Sequence, residues 1–98
     1  MMFGELIRKH REEKGLPLRK IAAECDIDTS ILSKIERSER FATSDIIPIL
    51  SKSLDIEFKA LQMLYLTEKI NAEYGNEKYF EESINEILNL CQKNKRNS

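Results

Sequence analysis

The sequence predicts an all-α protein, and three observations support this fold class. Apolar residues recur at three- and four-residue spacings in six separate segments, as they do on one face of a helix. No segment alternates apolar and polar residues in the manner of a half-buried strand. Residues that start or stop helices, such as Gly15 and Pro17, stand between the segments. A chain of 98 residues suits one compact domain with an added element.

The first two helices are predicted at residues 3–14 and 18–25. Gly15 supplies the stop of the first, and Pro17 fits the first turn of the second. The second helix carries one apolar stripe, made of Leu18, Ile21, Ala22 and Cys25.

The third helix, predicted at residues 29–37 with Asp28 as its N-cap, divides into two faces. Its apolar face holds Ile31, Leu32 and Ile35. Its polar face holds small hydroxyls and two cations, namely Thr29, Ser30, Ser33, Lys34 and Arg37. One face can join a core while the other enters a DNA major groove, where hydroxyls and cations meet phosphates and base edges.

Three further helices are predicted at residues 45–54, 58–74 and 77–93. Pro48 requires the fourth helix to begin near Ser44 or Asp45, so that the proline lies in its first turn. The fifth helix is apolar on two sides and must be covered on both. Its inner stripe holds Phe58, Leu61, Leu64 and Tyr65, and its outer stripe Met63, Leu66 and Ile70.

The sixth helix has an apolar stripe of its own, made of Phe80, Ile84, Ile87, Leu88 and Cys91. Together with the outer stripe of the fifth helix, it is a candidate dimerisation surface. In the alternative, the sixth helix folds back and covers the fifth within one chain. We therefore divide the chain into a domain at residues 1–74 and a C-terminal helical extension at 75–98 with a frayed tail.

Composition excludes several function classes. Apolar residues make up 41% and charged residues 34%, and no apolar run approaches the length of a membrane span, so a cytoplasmic protein is expected. Cys25 and Cys91 both occupy apolar helix positions and are expected to be reduced and buried. With His10 as the one histidine, no metal site, cofactor site or catalytic group is predicted, and an enzyme is the weakest interpretation. The net charge of −1 provides no general attraction to nucleic acid.

The run from Phe3 to about Leu64 resembles the phage-repressor-like helix-turn-helix domain of the Xre family. The matching residues are Arg11 and Gly15, Ile21 and Ala22, Ile27 and Asp28, Ser33-Lys34-Ile35-Glu36-Arg37, and Leu50, Leu54 and Ile56. The chain departs from the family pattern at Leu18, where a glutamine is usual, and at Asp26 and Ser38, where glycines are usual.

The resemblance implies a five-helix lambda-repressor-like domain followed by a C-terminal helix. It implies an internal ion pair between Arg11 and Glu36, and the inward position of Arg11 agrees, because a buried cation needs a partner. It also implies base-edge contacts by Thr29, Ser30, Ser33 and Lys34, and phosphate contacts by Arg37, Arg40, Thr43 and Arg19.

The function expected from these observations is a sequence-specific transcription regulator, a repressor or autoregulator, that binds double-stranded DNA. One such helix reads few base pairs, so a homodimer reading a palindromic operator is expected. The near-neutral charge and Leu18 favour an alternative, in which the chain is a protein-interaction module such as an antitoxin or adaptor that binds a protein partner.

Overall fold

The computed structural model describes residues 1–96, and this part of the chain is helical with no strand. The α-helices are α1 (Phe3–Glu13), α2 (Leu18–Glu24), α3 (Thr29–Glu36), α4 (Ile47–Leu54), α5 (Phe58–Tyr74) and α6 (Phe80–Arg96). A 3-10 turn, Ser44–Ile46, precedes α4. The predicted all-α class is confirmed.

The core lies among α1 to α5 and is built from the apolar stripes of these helices. Its largest fully buried side chains are Ile7, Ile21, Leu32, Ile35, Ile47, Leu50, Leu54 and Leu61. The inner stripe of α5 joins this core through Leu61 and Tyr65. Phe58, the first residue of the same stripe, was predicted to be covered but is exposed, because it lies at the very start of α5.

Two hydrogen bonds from α5 hold distant segments of the chain. The hydroxyl of Tyr65 donates to the carbonyl oxygen of Ala42 at 2.7 Å and fixes the connection that follows α3. The carboxylate of Glu68 accepts from the backbone N–H of Phe3, with both oxygens 3.0 Å from the nitrogen. A carboxylate at the N-terminus of α1 also interacts favourably with that helix's dipole. α5 therefore anchors both α1 and the end of the helix-turn-helix unit.

Turns that the family builds with glycine are built here with other residues. Asp26 and Ser38 have φ angles of 55° and 61°, in the left-handed region, as does Asp55 at the end of α4. Asp tolerates this conformation better than most residues do because its short side chain can bond locally. The two departures from the family pattern therefore leave the turns in place.

Two predictions about the ends of helices need correction. α6 begins at Phe80 rather than at residue 77, because residues before it form tight turns in which the N–H of Phe80 donates to the carbonyl of Glu77. Asp28 is the N-cap residue of α3, but its side chain makes no capping hydrogen bond. Thr29 and Ser30 are exposed, so water can solvate the first turn in its place.

Cys91 is exposed, whereas both cysteines were expected to be buried. The reason is that α6 does not fold over the outer stripe of α5. Met63 and Leu66 in that stripe are 59% and 44% exposed. Within the single chain, the fold-back alternative is therefore wrong. Cys25 is buried and free, as predicted.

Residues 1–96 contain neither a helix that could span a membrane nor a side-chain cluster that could bind a metal ion. None of the helices there has the length and apolar character needed to cross a membrane. In the same residues, no group of three or more His, Cys, Asp or Glu side chains is arranged to hold a metal ion.

Candidate nucleic-acid interface

The α2–turn–α3 unit presents one side of α3 to solvent. Ile21 and Ala22 of α2 are buried, as are Leu32 and Ile35 on the inner side of α3. The N–H of Ile27 donates to the carbonyl of Ala22 at 3.0 Å and closes the turn between the helices. Because the inner side of α3 is held in the core, its polar side faces outward.

The predicted DNA-contacting residues lie on α3 and on the segments that precede and follow it in the chain. Five of them lie on α3 or at its end: Thr29, Ser30, Ser33, Lys34 and Arg37. Arg40 and Thr43 follow in the connection to the 3-10 turn, and Arg19 is the second residue of α2. All eight side chains are exposed except that of Ser33, which is half-buried.

An ion pair between α1 and α3 fixes the orientation of α3. The Nε of Arg11 donates to Glu36 Oε2 at 2.7 Å, and its Nη2 donates to Glu36 Oε1 at 2.9 Å. A third bond runs from Arg11 Nη1 to the carbonyl oxygen of Leu16 at 2.9 Å. The two parallel bonds to Glu36 make the pair bidentate. The Glu36 side chain is only 4% exposed, so little water surrounds the pair. The hydrogen bond to Glu36 raises the pKa of Arg11 above its usual range.

Arg37 has partners that sequence reasoning missed. Its Nη1 donates to Ser33 Oγ at 2.9 Å, one helical turn back, and its Nε donates to the carboxylate of Glu39. Both side chains of this ion pair are half exposed. The signal that could have pointed to Glu39 is its position two residues after Arg37, beyond Ser38, which stands where the family usually has a glycine.

A second exposed surface lies on α5 and α6. It contains the residues predicted for dimerisation, which are Met63, Leu66, Ile70, Phe80, Ile84, Ile87, Leu88 and Cys91. Phe80 is half-buried and the others are exposed. A groove of about 530 Å³ between the two helices is lined by several of them, together with Tyr74 and Tyr79. Exposed apolar side chains grouped in this way make the surface a candidate interaction site.

Comparison with known proteins identifies the family. A family model described as helix-turn-helix matches residues 7–61, more than half of the chain. The control protein C.BamHI of Bacillus amyloliquefaciens is 36% identical over 62 residues, which cover 62% of this chain and 76% of that protein.

Among solved structures, a chain of a SinR protein/SinI protein complex is similar with a TM-score of 0.53 and 25% identity. The similarity covers 97% of this chain and 99% of the other. These matches confirm the predicted resemblance. The chain belongs to the phage-repressor-like, Xre-type helix-turn-helix family, and it is a DNA-binding transcription regulator rather than an enzyme.

Proposed function

We propose that this protein reads a palindromic operator as a homodimer, with α3 of each subunit in the major groove. The observation that carries the proposal is the two-sided character of α3. On its inner side, Leu32 and Ile35 are buried in the core, while its outer side bears exposed hydroxyls and cations. A helix of this kind can be held rigidly and still offer side chains to base edges.

Each contact residue has a proposed role. The base-edge readers are Thr29, Ser30, Ser33 and Lys34, and the phosphate contacts are Arg19, Arg37, Arg40 and Thr43. Because the net charge is −1, attraction to DNA depends on these local cations and not on the chain as a whole. Phosphate contacts fix the register of α3 on the duplex, and base contacts supply the sequence preference.

The test is DNA selection followed by binding measurements at several salt concentrations. We expect the protein to select one palindrome and its affinity to fall steeply with salt. Changing Ser30 and Lys34 together to alanine should abolish the sequence preference and leave the melting temperature nearly unchanged, because both side chains are exposed. Lys59→Ala, an exposed lysine on α5, is the charge-matched control and should keep the preference. Retention of operator selectivity by the Ser30/Lys34 variant would refute the assignment of α3.

The homodimer is proposed on the exposed apolar surface of α5 and α6. Ile84→Glu with Ile87→Glu should yield a monomer in sedimentation experiments, since two carboxylates in an apolar interface are costly to bury. Asn85→Glu with Asn89→Glu adds the same charge on the same helix outside the apolar stripe and should leave the dimer intact. A wild-type protein that sediments as a monomer at all concentrations would refute this part of the proposal.

A protein-interaction module, such as an antitoxin or adaptor, is the second candidate. Two observations favour it, the near-neutral charge and the apolar Leu18 at the first position of α2. The same exposed surface of α5 and α6 would then receive a protein partner. In that case the purified protein should show neither a preference for one palindrome nor a steep fall in DNA affinity with salt.

A further inference from the structure

The end of α3 is closed by a turn that returns Glu39 to the helix. Arg37 is the C-cap residue, and Ser38 adopts the left-handed conformation with a φ of 61°. The N–H of Ser38 donates to the carbonyl oxygen of Ile35 at 3.1 Å. The N–H of Glu39 donates to the carbonyl oxygen of Lys34 at 2.9 Å. This pair of bonds is the Schellman arrangement. The backbone of Glu39 is thereby attached to the last turn of the recognition helix.

The carboxylate of Glu39 uses donors of Arg37 that a DNA phosphate would also use. A guanidinium binds carboxylates and phosphates through the same planar set of N–H groups. In the free protein the Arg37 Nε is engaged by Glu39, and Nη1 is engaged by the hydroxyl of Ser33. Arg37 and Glu39 are 51% and 54% exposed, so a phosphate can reach the pair. Exposed ion pairs are weak in water, and exchange of one anion for another is therefore easy.

We propose that Glu39 is an intramolecular competitor for Arg37, and that it lowers the affinity of this protein for DNA by occupying the arginine in the free state. The inference rests on the proposed function, in which Arg37 contacts a DNA phosphate. On binding, the phosphate displaces the Glu39 carboxylate from the guanidinium. The bond from Arg37 to Ser33 is released in the same movement, which frees the Ser33 hydroxyl for a base edge.

The experiment is a double-mutant cycle on operator affinity, with Glu39→Gln, Arg37→Gln and the combination. We expect Glu39→Gln to tighten binding by about two- to fivefold, the range that corresponds to the strength of an exposed ion pair. In the Arg37→Gln background the same change should have no effect, because no arginine remains to be released. Glu73→Gln, at an exposed position of α5, is the control for the loss of one negative charge. All three positions are exposed, so thermal melting should show the same folded state for every variant.

Three results would overturn the inference alone while wild-type operator binding is retained. Unchanged affinity of Glu39→Gln would show that no competition exists. Equal tightening in both backgrounds would show general charge repulsion between Glu39 and DNA. Weaker binding with a changed sequence preference would show that Glu39 positions Arg37 for binding. Failure of the wild type and every variant to prefer an operator would instead overturn the proposed function, and this inference with it.

Discussion

Two arginine–glutamate pairs in this protein have similar chemistry and very different surroundings. Arg11 and Glu36 meet where their side chains are 13% and 4% exposed, whereas Arg37 and Glu39 meet in solvent. Taking a charge out of water is costly, so the inner pair is stable only while both partners are present. The outer pair loses little when it separates. Arg11 is therefore committed to the fold, and Arg37 is available to a ligand.

Neutralising Glu36 should make the protein much easier to unfold. Glu36→Gln leaves the charge of Arg11 without its partner, and we expect a loss of about 3 kcal/mol in the free energy of unfolding, measured by urea denaturation. Replacing both residues, with Arg11→Met and Glu36→Leu, should cost less than Glu36→Gln alone. Glu12→Gln removes the partner of Arg8 in an exposed pair and should leave the urea midpoint almost unchanged. Equal losses for Glu12→Gln and Glu36→Gln would contradict this account.

Burial of Cys25 predicts a loss of stability in alkaline solution. Burial raises the pKa of this thiol from 9.0 to about 11. Between these two values the unfolded chain releases the proton and the folded chain keeps it, so the free energy of unfolding falls as the pH rises. Urea denaturation should be measured from about pH 8 to about pH 11, a range that spans the two pKa values. We expect the free energy of unfolding to decline less in Cys25→Ala than in the wild type. Cys91→Ala, at the exposed cysteine, should retain the wild-type decline. A Cys25→Ala profile parallel to that of the wild type would refute the prediction.

Single positions were predictable where one physical requirement decided them. Arg11 lies on the apolar side of α1, and a cation there needs an acidic partner, which the resemblance identified as Glu36. Asp26 takes the left-handed conformation in place of a glycine because the turn between α2 and α3 demands it. Glu39 lies two residues after Arg37 in the sequence, but the ion pair itself was not predicted, because it depends on the direction of the Arg37 side chain after the helix has ended.

Between helices, α1 approaches the end of α3 closely at Gly4. A Cβ atom on Gly4 would lie 2.3 Å from the carbonyl oxygen of Ile35 and 2.7 Å from that of Glu36. Both obstacles are backbone atoms, which cannot rotate away as a side chain can. Gly4 therefore allows α1 to reach α3 at the turn where Arg11 and Glu36 also connect them.

Gly4→Ala should push α1 away from α3 and destabilise the protein. Alanine favours a helix over glycine by about 1 kcal/mol, but the clash should outweigh this gain. We expect a net loss of about 2 kcal/mol in the free energy of unfolding. Glu5→Ala, at the next and exposed position of α1, should change stability little. A Gly4→Ala protein as stable as the wild type would show that the two helices are free to separate.

Helix positions were predictable from periodicity, and helix ends were less so. α5 was predicted at residues 58–74 and is found there, since a long periodic segment ends at Gly75. α6 was placed three residues too early, because Glu77, Lys78 and Tyr79 fit a helix as readily as the turns they form. The exposure of α6 was not predictable either. Its apolar stripe requires a cover, but periodicity does not say whether that cover belongs to the same chain.

The molecule as a whole presents its two candidate surfaces on different parts of the chain. The proposed DNA-contacting residues belong to α2, α3 and the following connection, and the exposed apolar surface belongs to α5 and α6. In the proposed homodimer, subunits that meet through the apolar surface of α5 and α6 would keep α3 out of the interface, because α3 contributes no residue to that surface. The distance between the two recognition helices would then be a property of the dimer, and the operator would have to match it.

Operator spacing should therefore control affinity. Two recognition helices of a dimer read half-sites about 34 Å apart, one turn of DNA. Inserting about five base pairs turns one half-site to the opposite side of the duplex, and we expect wild-type affinity to fall to that for a single half-site. The Ile84→Glu/Ile87→Glu variant, expected to be a monomer, should bind both operators equally because it reads one half-site at a time. Gel-shift titrations on both DNAs make the comparison. Equal wild-type affinity for the two would mean that the recognition helices act independently, and the dimeric reading of a palindrome would be wrong.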